Sequence, residues 1–188
     1  MDITKVVAPK FHGKDDINII GVRFQNSRQN FFDDFIVTYM NGVSKFYQAT
    51  TSPGTFWLNN PSRVSGTARL KPGFYKRCWV LGTHKGQYQA LVQSNEALFV
   101  VQRDNDKNDL FNEQAESFND ASGINLHHAG ESSTKVDKWS AGCQVIARME
   151  DWNDLMSDIL LSRKSYGNFF SYNLVLMPNR LEFLEKCR

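Results

Sequence analysis

The amino-acid sequence predicts a mainly β fold, a β-sandwich or barrel-like structure with one amphipathic helix, and three observations predict it. Short segments rich in β-branched and aromatic residues recur between turn signals along most of the chain, the spacing of a sandwich or barrel. Fourteen Phe, six Tyr and four Trp make the composition aromatic-rich, which suits strands and a stacking-lined groove. A clear helical period occurs in one stretch alone, Asp151–Arg163. With 188 residues the chain can bury a substantial core, and residues 1–188 read as one domain.

Ile17–Phe24 is β-branched and bounded by polar residues, so it reads as the first strand. Asp33–Tyr39 and Ser44–Thr50 follow as a pair, joined at Asn41-Gly42, where both residues tolerate positive φ and a tight hairpin is expected. Thr51-Ser52-Pro53-Gly54 reads as a turn, Asn59–Gly66 as a loop, and Leu70-Lys71-Pro72-Gly73 as another turn. Phe74–Val80 is a strand, Gly82–Gly86 a turn, and Tyr88–Val92 and Ala97–Val101 further strands.

Arg103–Asn119 is polar and acidic, a solvated loop or a lid over a groove. Within it Asp104, Asp106 and Asn108 alternate like the opening of a calcium loop. Asp109 stands where that loop needs Gly, however, and Ala115 where it needs Glu. Gly123–His128 reads as a strand. In Asp151–Arg163, Trp152, Leu155, Met156, Ile159 and Leu160 form the apolar stripe of a helix packed on a sheet. Glu150, Asp151 and Asp154 complement its positive N-terminal end, and Arg163 with Lys164 its C-terminal end. Phe169–Met177 returns as a strand, ended by Pro178.

The charge balance, 22 Lys and Arg against 20 Asp and Glu for a net +2, leaves no electrostatic footprint for nucleic acid. No run approaches the ~18 apolar residues of a membrane-spanning helix, so no membrane insertion is expected. The N-terminus does not read as a signal peptide, because its apolar part is short and Asp2 follows Met1. Cys78, Cys143 and Cys187 are an odd set without close spacing. Cys78 can pair with Cys187, but free thiols are expected. The four histidines have no paired carboxylate spacing, so neither a metal nor another cofactor is expected. A monomer is expected.

The chemistry-bearing stretch is Gly123–Ala147. It holds adjacent His127 and His128, a polar loop, and then Trp139-Ser140-Ala141-Gly142-Cys143-Gln144-Val145. A lone cysteine is commonly a small buried hydrophobe, and histidines commonly sit in polar surfaces. The local sequence points further. Cys143 stands between a Ser-x-Gly turn and the apolar Val145-Ile146 run, and Gly142 permits a sharp turn that leaves amides beside the sulfur. The thiolate is the attacking form, so a cysteine nucleophile needs a base nearby. If the two flanking segments are neighbouring strands, His127 can be that base. Period two puts Ile124, Leu126 and His128 on one face and Asn125 with His127 on the other. A core-facing Ile124 and Leu126 would then aim His127 at a groove and leave His128 behind it as a supporting histidine. His84, in a Gly-flanked turn beside Tyr88, is a further groove candidate or else a surface-turn histidine.

This pattern resembles the catalytic motif of the L,D-transpeptidase family, in which a strand histidine precedes a Ser-x-Gly-Cys turn. His127 lies sixteen residues before Cys143, a separation like that of the family. Upstream, Leu70-Lys71-Pro72-Gly73-Phe74-Tyr75 is similar to the family's Pro-x-Gly-x-Tyr segment. The resemblance implies an L,D-transpeptidase-type catalytic domain with Cys143 as nucleophile and His127 as base. Ser140 and the amides around Gly142 and Cys143 would shape the oxyanion hole, and His84, His128, Trp139 and Gln144 would lie on the substrate side. The implied partner is the peptidoglycan stem peptide, at the bond between its L-centre diamino acid and the following D-alanine.

Two departures bear on the outcome of the reaction. The family usually has His between the Ser and the Gly, where this chain has Ala141. It usually has Arg or Asn two places after the Cys, where this chain has Val145, with Gln144 the nearest polar side chain. Those groups help to hold the peptide in the family, so their absence favours hydrolysis over cross-linking. The form with His-His and Ser-Ala-Gly-Cys-Gln is similar to that of bacteriophage and prophage proteins. An enzyme of that kind is made in the cytoplasm and reaches the wall through a holin-based lysis system, a virion or a secretion apparatus. Two other readings stay open: a transpeptidase with a different acceptor site, and a wall-binding or virion structural module without turnover. The group that orients His127 is also open, a backbone carbonyl being one candidate.

Overall fold

Asn41 and Gly42 adopt the conformation their residue types favour, with φ of 52° and 80°. They join β2 (Asp34–Met40) to β3 (Val43–Thr50) in antiparallel register, from Asp34 opposite Ala49 to Met40 opposite Val43. The structure, a computed structural model, describes residues 1–112, 115–118, 123–131 and 133–188. β2 also pairs with β1 (Asn18–Phe24), which runs parallel to β11 (Phe170–Met177). β11 is antiparallel to β5 (Gly73–His84), and β5 to β6 (Tyr88–Gln93). β6 meets β9 (Leu126–His128) at the single pair Leu91 and Leu126. β9 and β10 (Gln144–Ile146) are parallel neighbours, and β10 returns to β3, closing a barrel of eight strands. β4 (Thr67–Leu70), β7 (Val100–Asp104) and β8 (Ala115–Phe118) form a second, three-stranded sheet.

The barrel interior follows from period two along its strands. Ile19, Ile36, Ala49, Trp79, Leu91, Leu126, Ile146, Tyr172 and Leu174 are buried together with Ala68, Leu70 and Val101 of the second sheet. Trp79 stacks on Tyr172 at 4.6 Å between ring centroids, and its indole N–H donates to the Ile124 carbonyl at 2.8 Å, so this polar tip is satisfied inside the core. On the outer face of β1 and β2, Ile20, Val22, Phe24, Phe35 and Val37 pack against Phe183 and Cys187. Those two residues belong to or follow α3 (Arg180–Lys186), which Asn179 caps by accepting from the Glu182 N–H at 2.9 Å.

Arg23 is a buried cation whose hydrogen-bond partners among the described residues are neutral oxygens. Its guanidinium donates to the Thr51 hydroxyl and carbonyl and to the Leu70 carbonyl, and burial lowers its pKa to about 10. Asp34 accepts from the Thr51 N–H and hydroxyl on the other side, so one chain of hydrogen bonds ties β1, the β3 exit and β4.

The helix expected at Asp151–Arg163 is α2, longer at both ends (Met149–Tyr166) and closed by Gly167 at φ 81°. Trp152, Leu155, Met156 and Ile159 are buried, as the stripe requires, but Leu160 is exposed. Ser162 is buried instead, accepting from the Ile17 N–H at 3.3 Å. Other expectations are corrected. Three α-helices are present among the described residues, not one: α1 (Thr55–Asn59) follows the Pro53-Gly54 turn, and α3 follows Pro178. The turn placed at Gly82–Gly86 begins later, because β5 runs on to His84, and Lys85 and Gly86 supply the positive φ of 49° and 72°. The strand placed at Ala97–Val101 is β7, shifted to Val100–Asp104. β8 occupies part of the stretch read as a loop or lid, of which residues 113, 114 and 119 lie outside those described. Asp104 is buried and accepts from the Asp106 and Asn112 N–H groups, while Asp106 accepts from Asn108. These carboxylates close local turns. All three cysteines are free, and no helix among the described residues is long and apolar enough to cross a membrane.

Candidate active site

β9 covers the last three residues of the strand expected at Gly123–His128, and with the equally short β10 it decides the site. Gln144 pairs with Leu126 and Val145 with His127, so Cys143 stands level with Asn125 where the two parallel strands begin. Ile124 and Leu126 are in the core, and Asn125 and His127 share the opposite face with Val145 and Cys143. Cys143 and His127 are thus same-face diagonal neighbours on adjacent strands, a spacing of about 7–8 Å that side chains can bridge.

The segment before Cys143 is anchored from several sides. Asn30 accepts from the Asp137 and Thr55 N–H groups through its Oδ1 and donates to the Asp137 carboxylate through its Nδ2. The Gly54 N–H donates to the Ser140 carbonyl at 2.9 Å, and the Trp57 indole donates to the Lys138 carbonyl at 3.0 Å. Ser140 is fully buried. Its hydroxyl donates to the Cys143 carbonyl at 2.8 Å and accepts from the Gly142 N–H at 3.1 Å, holding the turn that presents the sulfur. Gly142 has φ 125°, and a Cβ there would lie 2.6 Å from the Ala68 carbonyl oxygen, so only glycine fits. With the Gly142 N–H taken by Ser140, the Cys143 N–H is the amide left to stabilise an oxyanion; it makes no backbone hydrogen bond among the described residues.

His127 is 1% exposed. Its Nδ1 lies 2.9 Å from the His128 carbonyl, an acceptor, so Nδ1 carries the proton and Nε2 carries a lone pair. The backbone carbonyl of the next residue is therefore what orients the ring. The Tyr88 hydroxyl is 3.1 Å from the same Nδ1. The buried Nε2 has no hydrogen-bond partner among the described residues. His84 stacks on His127 at 4.2 Å with an interplanar angle of 28°, and its Nδ1 meets the Asn125 side-chain amide at 3.0 Å. His84 is thus buried in the site, not a surface-turn residue. His128 lies behind, its ring 4.4 Å from Tyr88 and 5.8 Å from Trp152, with Nδ1 on the Ala129 carbonyl at 2.6 Å.

Electrostatics keep both central groups neutral at rest. Burial, then repulsion from His84, pulls the His127 pKa down to about 3, although its bond to His128 acts the other way. Burial pushes the Cys143 thiol up, against a smaller opposing pull from the Asn125 backbone N–H and Lys85. The thiol is directed at the Gly123 carbonyl, 3.6 Å away, and makes no hydrogen bond with His127.

The remaining expected residues divide. Gln144 is fully buried and faces inward, its Oε1 accepting from the Tyr172 hydroxyl at 2.8 Å, so it supports the barrel and does not reach a substrate. Trp139 is exposed and lines a separate groove beside α1. Val145 packs with Phe32, Ala129 and Val136, which leaves no polar group two places after the cysteine. Sequence reasoning missed Tyr88 and Lys85 as members of the site; the hairpin Lys85-Gly86 next to His84 was the available signal. No protein-family model, no curated protein and no solved structure matches the chain.

Proposed function

We propose that this chain is a cysteine acyl-transfer enzyme of L,D-transpeptidase type that hydrolyses L,D bonds of peptidoglycan stem peptides. One observation carries the reading: a buried imidazole with Nδ1 held by the His128 carbonyl and an unpartnered Nε2, diagonal to Cys143 on the parallel neighbour. An orphaned buried acceptor costs about 1–3 kcal/mol, and the approach of a thiol would satisfy it.

The resting pair is neutral thiol and neutral imidazole, so the proton moves as attack occurs. Cys143 Sγ turns from the Gly123 carbonyl, its proton passes to His127 Nε2, and the sulfur adds to the peptide carbonyl. The Cys143 N–H holds the oxyanion, and the imidazolium protonates the departing amine, leaving a thioester. Water, deprotonated by His127, then cleaves the thioester to a carboxylate and regenerates the thiol. Hydrolysis is favoured because Ala141 and Val145 provide no polar groups to seat an acceptor amine.

The thiol's position on Gly123 favours a second reading, a wall-binding module that keeps the pair without turnover. Purified peptidoglycan fragments, with products read by mass spectrometry, separate the two. Release of D-alanine or opened cross-links, absent in Cys143→Ala, is expected. Products joined to an added D-amino acid would instead identify transpeptidation. An unchanged substrate, or equal turnover by the variant, would overturn the proposal.

A further inference from the structure

Besides the Cys143 region, the described residues hold a groove of about 630 Å³ between α1 and the loop that leads to Ser140. That volume lies within the ~300–1,000 Å³ of small-molecule sites. Two aromatic residues line it, Phe56 and the exposed Trp139. Trp139 is braced from behind, since its ring lies against Gly130, where an added Cβ would come within 3.1 Å.

The polar lining is mixed. The Asn59 amide nitrogen donates to the Thr55 carbonyl and the Asp109 carboxylate, and the Asn60 amide nitrogen donates to the Phe56 carbonyl. One oxygen of Asp137 accepts from Asn30. The Asn59 and Asn60 carboxamide oxygens and the second Asp137 oxygen can accept, while the Thr55 hydroxyl and the Lys138 ammonium of the same lining can donate. Lys138, its ammonium 4.5 Å from the Phe56 ring centroid, balances the Asp137 charge. A ligand suited to this surface has an apolar face for the rings, hydrogen-bond donors as well as acceptors, and no net charge. A sugar ring with hydroxyl and acetamido groups has all three.

We infer that this groove binds the glycan strand of the wall, as a run of N-acetylated hexosamines, an inference that rests on the substrate class proposed above. The groove adjoins the loop that presents the sulfur. Trp139 is next to Ser140, whose carbonyl is fixed by the Gly54 N–H beside α1 and whose hydroxyl holds the Cys143 carbonyl. Glycan seated on Trp139 would thus place a pendant stem peptide near the sulfur.

The test titrates the protein with chitotetraose, which has the sugar chemistry without the peptide, by isothermal calorimetry and by amide NMR. Saturable binding with shifts at residues 55–60 and 137–139 is expected. Trp139→Ala should weaken it about tenfold or more, as loss of one stacking face implies. Asn60→Ala, at an exposed position, provides a second variant should Trp139→Ala fail to fold, and it should weaken binding as well. No binding by the wild type, or equal binding by folded variants, overturns the inference. So does binding of a free stem tetrapeptide, and not chitotetraose, at these residues. The two proposals fail separately. Cys143-dependent peptide cleavage without glycan binding would sink the groove alone, whereas glycan binding without that cleavage would sink the chemistry alone.

Discussion

Replacing His127 with Gln removes a titrating group whose folded and unfolded pKa values are far apart. In an unfolded chain a histidine titrates near ~6.5. In the barrel, burial and His84 lower His127 to about 3. Between those values the unfolded chain binds one proton more than the folded one. Stability from this residue is therefore present above the unfolded pKa and is lost as pH falls, by ~1.4 kcal/mol per unit. From pH 6.5 to 4.5 the wild type should lose about 2–3 kcal/mol more than His127→Gln. Carboxylates and His84 titrate in both proteins, so the difference between them isolates His127. Urea unfolding followed by far-UV circular dichroism, at half-unit pH steps, gives the two curves. A constant separation across pH 4.5–7 would refute a buried neutral imidazole, and with it the lone pair assigned to Nε2.

Gly142→Ala should destabilise by at least ~2 kcal/mol, because φ is positive and the added methyl meets the rigid Ala68 carbonyl. A urea midpoint within experimental error of wild type would show that the turn adapts. Iodoacetamide should label Cys143 slowly at pH 7, with a rate still rising at pH 9, since burial holds the thiol above its ordinary range. Peptide mass mapping reads this; fast labelling at pH 7 would mean a preformed thiolate. Tyr172→Phe should cost about 1–3 kcal/mol by leaving the buried Gln144 oxygen without its donor. Adding Gln144→Leu should restore part of the loss, and a further drop in the urea midpoint would contradict that account.

Much of the barrel was legible because its long strands announce themselves. Ile17–Phe24, the Asn41-Gly42 hairpin and Phe169–Met177 carry β-branched or aromatic runs bounded by turn residues, and they form within a residue or two of expectation. The closed pairing was not legible. Nothing local joins β1 to β11 or β9 to β10, because parallel partners far apart in the chain leave no turn between them. α1 escaped notice because five residues between loops carry no helical period. At the site, the alternation through Ile124–His128 was enough to place His127 opposite the core. Gln144 misled because the chain reverses its face right after Cys143, so a polar residue next to the sulfur points into the barrel toward Tyr172. No sequence signal distinguishes a glutamine that binds ligand from one that satisfies a buried tyrosine.

β1 is complete by Phe24, yet its parallel partner β11 does not begin until Phe170. During synthesis the early strand therefore presents a bare edge and an apolar face (Ile20, Val22, Phe24) for roughly 10–30 s before its neighbour exists. Such an edge is a template for pairing with other nascent chains. Substitutions in β1 should thus alter the soluble yield on expression more than the melting of the finished protein, because they act on the interval before the barrel can close.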